Sequence, residues 1–126
     1  MVIHGIGVDI VDVIKIKKII THSGDKLAKR ILSKSEWQIY QNKKHPVHFL
    51  AKRFAAKEAV AKAFGTGINQ GVTFNQIEIF HDKLGKPMLH LFSYAALLAN
   101  KLSLKKMHIT LSDTNLYACA LVVFER

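Results

Sequence analysis

The sequence holds a single cysteine, Cys119, so no internal disulfide can form, a cysteine-based zinc site is excluded, and nothing points to an oxidising compartment. Long apolar runs are missing as well. The longest, Tyr117 to Phe124, falls far short of the roughly 20 residues of a membrane-spanning helix, so no membrane partner is expected. The opening MVIHGIGVDIVDV has no basic stretch ahead of an apolar one and no small-residue cleavage site, which leaves a cytoplasmic location as the expectation. Acidic residues are scarce: 9 Asp and Glu stand against 19 Lys and Arg, a formal charge of +10 that favours an anionic partner. Nucleic acid, a polyphosphate ligand and an acidic protein all satisfy that charge. Walker, GxGxxG and GxSxG signatures are absent, and the seven histidines form no HExxH pair or similar metal-ligand spacing.

What is present suits one compact unit spanning residues 1–126, with 49% apolar residues to build a core. The β-branched opening Val2 to Val13, punctuated by Gly5 and Gly7, predicts a strand that bends or approaches something closely. Val13, Ile16, Ile19 and Ile20 recur at helical spacing, with Lys15, Lys17 and Lys18 giving that helix a basic outer face. Asp25 is placed to cap one further helix and Ser33 or Ser35 another. The run PVHFLAKRFAAKEAVAKAFGTG has Pro46 at its start and Gly65 just past its end, the asymmetry of a well-bounded helix. Strands follow at Val72 to Phe80 and Met88 to Leu91 around the turn Asp82 to Pro87, then a helix over Ser93 to Leu102 and a closing hairpin. The fold expected is a single α+β domain in which an antiparallel sheet packs against one long helix and several shorter ones. Val122 and Phe124 suit either the core or an interface between copies.

Three places could hold chemistry. Asp9 interrupts an apolar strand, where a plain turn carboxylate is the bland alternative; Gly7 two residues away makes room for a ligand or another backbone. Glu58 and Lys62 have the spacing of a solvent-exposed helical ion pair, yet Phe54, Ala55, Ala59 and Ala61 surround them and Gly65-Thr66-Gly67 opens room at the helix end. A carboxylate and an ammonium in such a groove can serve a metal and a phosphate together. His108 with Thr110, Ser112 and Asp113 forms a hydroxyl-rich strand suited to phosphate or ribose. The segment Asp82 to Pro87 is explained as a turn, from which Lys86 could still reach a phosphate.

In combination, GIGVDIV at 5–11, FLAKRFAAKEAVAKAFGTG at 49–67, GKP at 85–87 and HITLSDTNLYACALVV at 108–123 resemble the holo-acyl-carrier-protein synthases of the 4′-phosphopantetheinyl transferase superfamily, over essentially the whole chain. That resemblance implies transfer of the phosphopantetheine arm of coenzyme A to a serine of an acidic acyl carrier protein, in support of fatty acid biosynthesis. It also implies Mg2+ held by Asp9 and Glu58, with Lys62 as a second positive contact and Glu58 the first candidate base. Gly65, Gly67, Lys86, Pro87, His108 and Thr110 would lie around the cofactor. Lys15, Lys17 and Lys18 would dock the carrier, Lys15 standing where the family commonly has arginine, and a homotrimer with shared active sites would be the assembly. Asp113 occupies a position where many members carry histidine, so its role is not transferred. On this reading no nucleic acid is bound. The alternative is a small basic nucleic-acid-binding module, motivated by charge and by lysines interleaved with Phe and Trp.

Overall fold

Alternation along the first strand decides the architecture. In the computed structural model, which describes residues 1–126, β1 (Ile3–Asp12) places Gly5, Gly7, Asp9 and Val11 on one face and Ile6, Val8 and Ile10 on the other. The glycine face lies against α4 (Pro46–Phe64), so closely that a Cβ on Gly5 or Gly7 would overlap the main-chain carbonyls of Ala63 and Ala59. Gly7 therefore makes room for a backbone, the second of its two expected uses. Alanines at 51, 55, 56, 59, 61 and 63 are buried almost all round α4, which is how a central helix reads once strands and helices cover it. Its ends follow the expected asymmetry: Pro46 opens it, and Gly65 closes it in the left-handed conformation at φ 88°, with its N–H donated to the carbonyls of Ala61 and Lys62.

Around this helix the remaining elements take up α1 (Val13–Ser23), α2 (Lys26–Ile31), α3 (Lys34–Gln41), β2 (Ile77–His81), β3 (Pro87–Leu91), α5 (Ser93–Lys101), β4 (Lys106–Asp113) and β5 (Tyr117–Glu125). The strands divide into two antiparallel sheets rather than one, with orders β1-β5-β4 and β2-β3. Residues 74–76, expected within a strand, form a single 3-10 turn ahead of β2. The closing hairpin is present, and β5 pairs with both β4 and β1, placing Asp9 opposite Ala120. Ala118, Ala120, Val122 and Phe124 are fully covered on the α4 side, so Val122 and Phe124 belong to the core.

Capping explains where the short helices begin. Asp12 Oδ1 accepts the Ile14 and Lys15 N–H groups at 2.9 and 3.3 Å and so starts α1 directly off β1. Ser33 and Glu36 form a reciprocal capping box at α3. Asp25 precedes α2 but makes no side-chain cap; it accepts instead from the Tyr40 hydroxyl at 3.4 Å. No helix is long and apolar enough to cross a membrane.

Candidate active site

Asp9 leaves β1 toward α4, and there it meets a charged stripe of that helix, Glu58 and Lys62. The Lys62 ammonium donates to Asp9 Oδ1 at 3.1 Å and to the Val8 carbonyl at 3.0 Å. The sequence spacing suggested a Glu58–Lys62 pair; the lysine instead spans from helix to strand, because β1 runs close enough to offer a carboxylate and a carbonyl together. Asp9 is accordingly no turn residue. Its side chain is 18% exposed and that of Lys62 51% exposed, so one end of the pair remains open to solvent.

Asp9 and Glu58 line one cleft of about 540 Å³ together with Asp12, Lys15, Ile16, Ile19, Phe54 and Tyr117. Glu58 is held above the usual carboxylate range, first by burial and then by the negative charge of Asp9, against the opposing pull of Lys62 and Arg30. Two carboxylates thus share a cleft in which burial and mutual repulsion outweigh the pull of nearby cations on Glu58. Such a pair attracts a further cation. No third His, Cys, Asp or Glu joins them in a cluster, so hard oxygen ligands from a substrate and water would complete a coordination shell there.

The other sequence candidates divide. Lys15, fixed by the Asp12 cap in the first turn of α1, lines the cleft; Lys17 and Lys18 line a separate hollow with Ile14, Thr21 and His22. Gly65 and Gly67 both have positive φ and open space where a side chain would stand, at the end of α4 one turn beyond Lys62. Lys86 and Pro87 lie where the Asp82–Lys86 turn enters β3; Asp82 Oδ1 accepts the N–H groups of Leu84 and Lys86 at 2.9 Å each. His108 and Thr110 project from β4 on the sheet face away from α4, across from Val123 and Leu121, and His108 Nε2 lies 2.7 Å from Glu125 Oε2. None of Lys86, Pro87, His108 and Thr110 lines the cleft of Asp9 and Glu58 within the same chain. Asp113 pairs loosely with Lys52 at 3.8 Å.

Some participants were not singled out from sequence. Arg30 is exposed at the end of α2, its guanidinium 5.7 Å from the Phe74 ring centroid and close enough to act on Glu58. One basic residue on a short helix carries no signal that would have marked it. Ile16 and Ile19 read as helix core, and Ile16 is buried, yet both also floor the cleft.

Residues 5–122 match the family described as the 4′-phosphopantetheinyl transferase superfamily. The chain is 89% identical over 124 residues to holo-[acyl-carrier-protein] synthase of Blochmanniella pennsylvanica (strain BPEN), covering 98% of this chain and 99% of that one. It belongs to the holo-[acyl-carrier-protein] synthase family. The crystal structure of the family member from Neisseria meningitidis superposes with a TM-score of 0.94 at 39% identity, over 99% of this chain and all of that one. The family member from Bacillus anthracis, solved in complex with CoA (3′,5′-ADP), superposes with a TM-score of 0.82 at 36% identity, over 97% and 96% of the two chains. The α+β class expected from sequence is thereby that of the family.

Proposed function

We propose that this holo-[acyl-carrier-protein] synthase carries out phosphopantetheine transfer with Asp9, Glu58 and Lys62 as its working residues, Asp9 and Glu58 holding Mg2+. The observation that carries the assignment is the cleft shared by Asp9 and Glu58, with the Lys62 ammonium 3.1 Å from Asp9 Oδ1. The donor set fits the metal: two hard carboxylates are what magnesium usually takes from protein, the rest of its shell coming from phosphate and water. When bound, the ion supplies charge neutralisation at the pyrophosphate of coenzyme A. Coenzyme A as co-substrate is supported by the Bacillus anthracis relative's complex with it.

In the reaction the serine oxygen of the carrier bonds to the β-phosphorus of coenzyme A, the bond from that phosphorus to the bridging oxygen breaks, and adenosine 3′,5′-bisphosphate leaves. Glu58 accepts the serine proton, directly or through one water. Lys62 turns from Asp9 toward the phosphoryl oxygens, a short swing for a half-exposed flexible side chain, and offsets charge developing there. Phe54, Ile16 and Ile19 keep the cleft partly dry, which strengthens each of these contacts. Lys15 at the cleft mouth receives the acidic carrier, with Lys17 and Lys18 steering from the neighbouring hollow.

The chain is further proposed to work as a homotrimer in the cytoplasm. Supporting this is the outer face of the β1-β5-β4 sheet, where Ile6, Val8 and Ile10 stand 64%, 55% and 65% exposed beside Leu121. Apolar surface of this kind marks an interface. His108 and Thr110 share that face, so in the trimer they serve a neighbour's coenzyme A, and Lys86, Pro87, Gly65 and Gly67 border the cofactor. The test is intact-mass analysis of apo acyl carrier protein after incubation with the chain, coenzyme A and Mg2+. A gain of one phosphopantetheine group, absent with chelator and with Asp9→Ala, is the expected result; a gain that survives both controls contradicts the metal assignment.

A further inference from the structure

One residue before Glu58, about 100° around the helix, α4 carries a second charged stripe that is sealed from water. Lys57 is 0% exposed, Arg53 3%, and their counter-ion Glu36 of α3 is 1% exposed. The three donors of the Lys57 ammonium are all used: Glu36 Oε1 at 2.6 Å, the Ile31 carbonyl at 2.7 Å and the Phe74 carbonyl at 3.2 Å. Glu36 is equally occupied. Its Oε1 also accepts the Ser33 N–H, and its Oε2 accepts the Ile79 N–H at 2.9 Å and lies 3.2 Å from Arg53 Nε. With no donor to spare and no exposure, Lys57 cannot touch a substrate.

What it grips nevertheless lies behind a residue of the cleft. Ile31 follows Arg30, and Phe74 is the residue whose ring lies under the Arg30 guanidinium. That ring in turn meets Phe54, which lines the cleft, edge-on at 5.7 Å between centroids. A single ammonium thus ties the backbone at Ile31, next to Arg30, and at Phe74 to the turn of α4 that bears Glu58. A buried ion pair is a poor means of adding stability, because apolar residues of similar size often do as well. Its use here is better matched by geometry.

We infer that Lys57, with Glu36 as counter-ion, is a positioning residue for phosphopantetheine transfer, holding the Arg30–Phe74–Phe54 stack behind the cleft in register with Glu58. The inference rests on the assignment of Asp9 and Glu58 made above. Lys57→Met removes the ammonium and leaves Glu36 neutralised by Arg53; Lys57→Gln keeps two donors for the carbonyls. The experiment measures melting temperature, kcat and separate KM values for coenzyme A and the carrier protein, well below the melting temperature. Expected for Lys57→Met is a folded protein whose kcat falls at least about tenfold while both KM values stay within about threefold, as a small misplacement of reacting groups produces. Lys57→Gln recovers part of that loss. A role confined to stability would lower the melting temperature and leave kcat alone, so a folded Lys57→Met protein with kcat within about twofold of the parent overturns the proposal. Should both variants fail to fold, the exposed Arg30→Ala carries the test: kcat at saturating substrates falls at least about fivefold, and an unchanged kcat overturns the proposal. Asp9→Ala is run alongside; if it retains transfer, the assignment of the site itself fails, independently of Lys57.

Discussion

The two charged stripes of α4 have the same ingredients and opposite fates. Arg53 and Lys57 are four residues apart and face Glu36; Glu58 and Lys62 are four residues apart and face Asp9. On the first stripe the ammonium and the carboxylate have each found partners and water is gone, with Arg53 Nε buried 3.2 Å from Glu36. On the second, Lys62 is half in solvent and Glu58 is pushed up by burial and by Asp9. Residue type and spacing are therefore not what separates structure from function in this helix. The difference lies in whether the partner elements close over the charges or leave them open to solvent.

That contrast can be broken most severely at Glu36. Glu36→Gln leaves Arg53 and Lys57 buried without a counter-charge, and chemical denaturation should register a loss of about 3–5 kcal/mol; a loss below ~1 kcal/mol would mean the sealed stripe is less dry than it looks. The open stripe should behave inversely. Lys62→Met is expected to change stability by less than about 1 kcal/mol, its ion pair being half exposed, while kcat drops by about 10²–10³ for want of a cation at the phosphoryl group. Gly7→Ala tests the contact that brings Asp9 to both charges of this stripe. Its Cβ has no space against the Ala59 carbonyl, so β1 must move off α4 at a cost of about 1–3 kcal/mol, and transfer should weaken along with the melting temperature.

The smallest expected effect concerns pH. Because the Glu58 pKa is raised in the folded chain, folding favours its protonated form: it contributes stability below its ordinary value of 4.5 and loses that contribution as pH rises through the raised value. Melting curves of the metal-free protein and of Glu58→Gln should therefore differ in slope over the weakly acidic range, the parent losing more stability as pH rises. Parallel curves would remove the argument that Glu58 is held short of compensating charge.

Much of this was legible in the chain itself, and the illegible part has a common cause. The long helix announced itself through Pro46 and Gly65, and the cap of α3 was narrowed to Ser33 or Ser35, of which Ser33 serves, because these are local signals. Asp9, Glu58 and Lys62 stood out through the family resemblance, and the structure brings all three to one place. Their wiring did not follow: spacing paired Lys62 with Glu58, whereas a strand more than fifty positions away supplies its acceptors. Arg53 and Lys57 sat inside the same RFAAKEA run as Glu58 and were not singled out, since nothing local says that Glu36, Ile31 and Phe74 converge on them. The division into two sheets and the outward turn of Ile6, Val8 and Ile10 depend on which strands β5 joins. Burial and pairing at long sequence separation are what a single sequence records least.

The account turns on the open stripe, and the most direct measurement is a crystal structure with coenzyme A and Mn2+, read by anomalous diffraction. The account predicts one anomalous peak per chain between the carboxylates of Asp9 and Glu58, with the Lys62 ammonium moved from Asp9 onto the pyrophosphate. A peak elsewhere, with Asp9 still engaged by Lys62 beside bound coenzyme A, would contradict it.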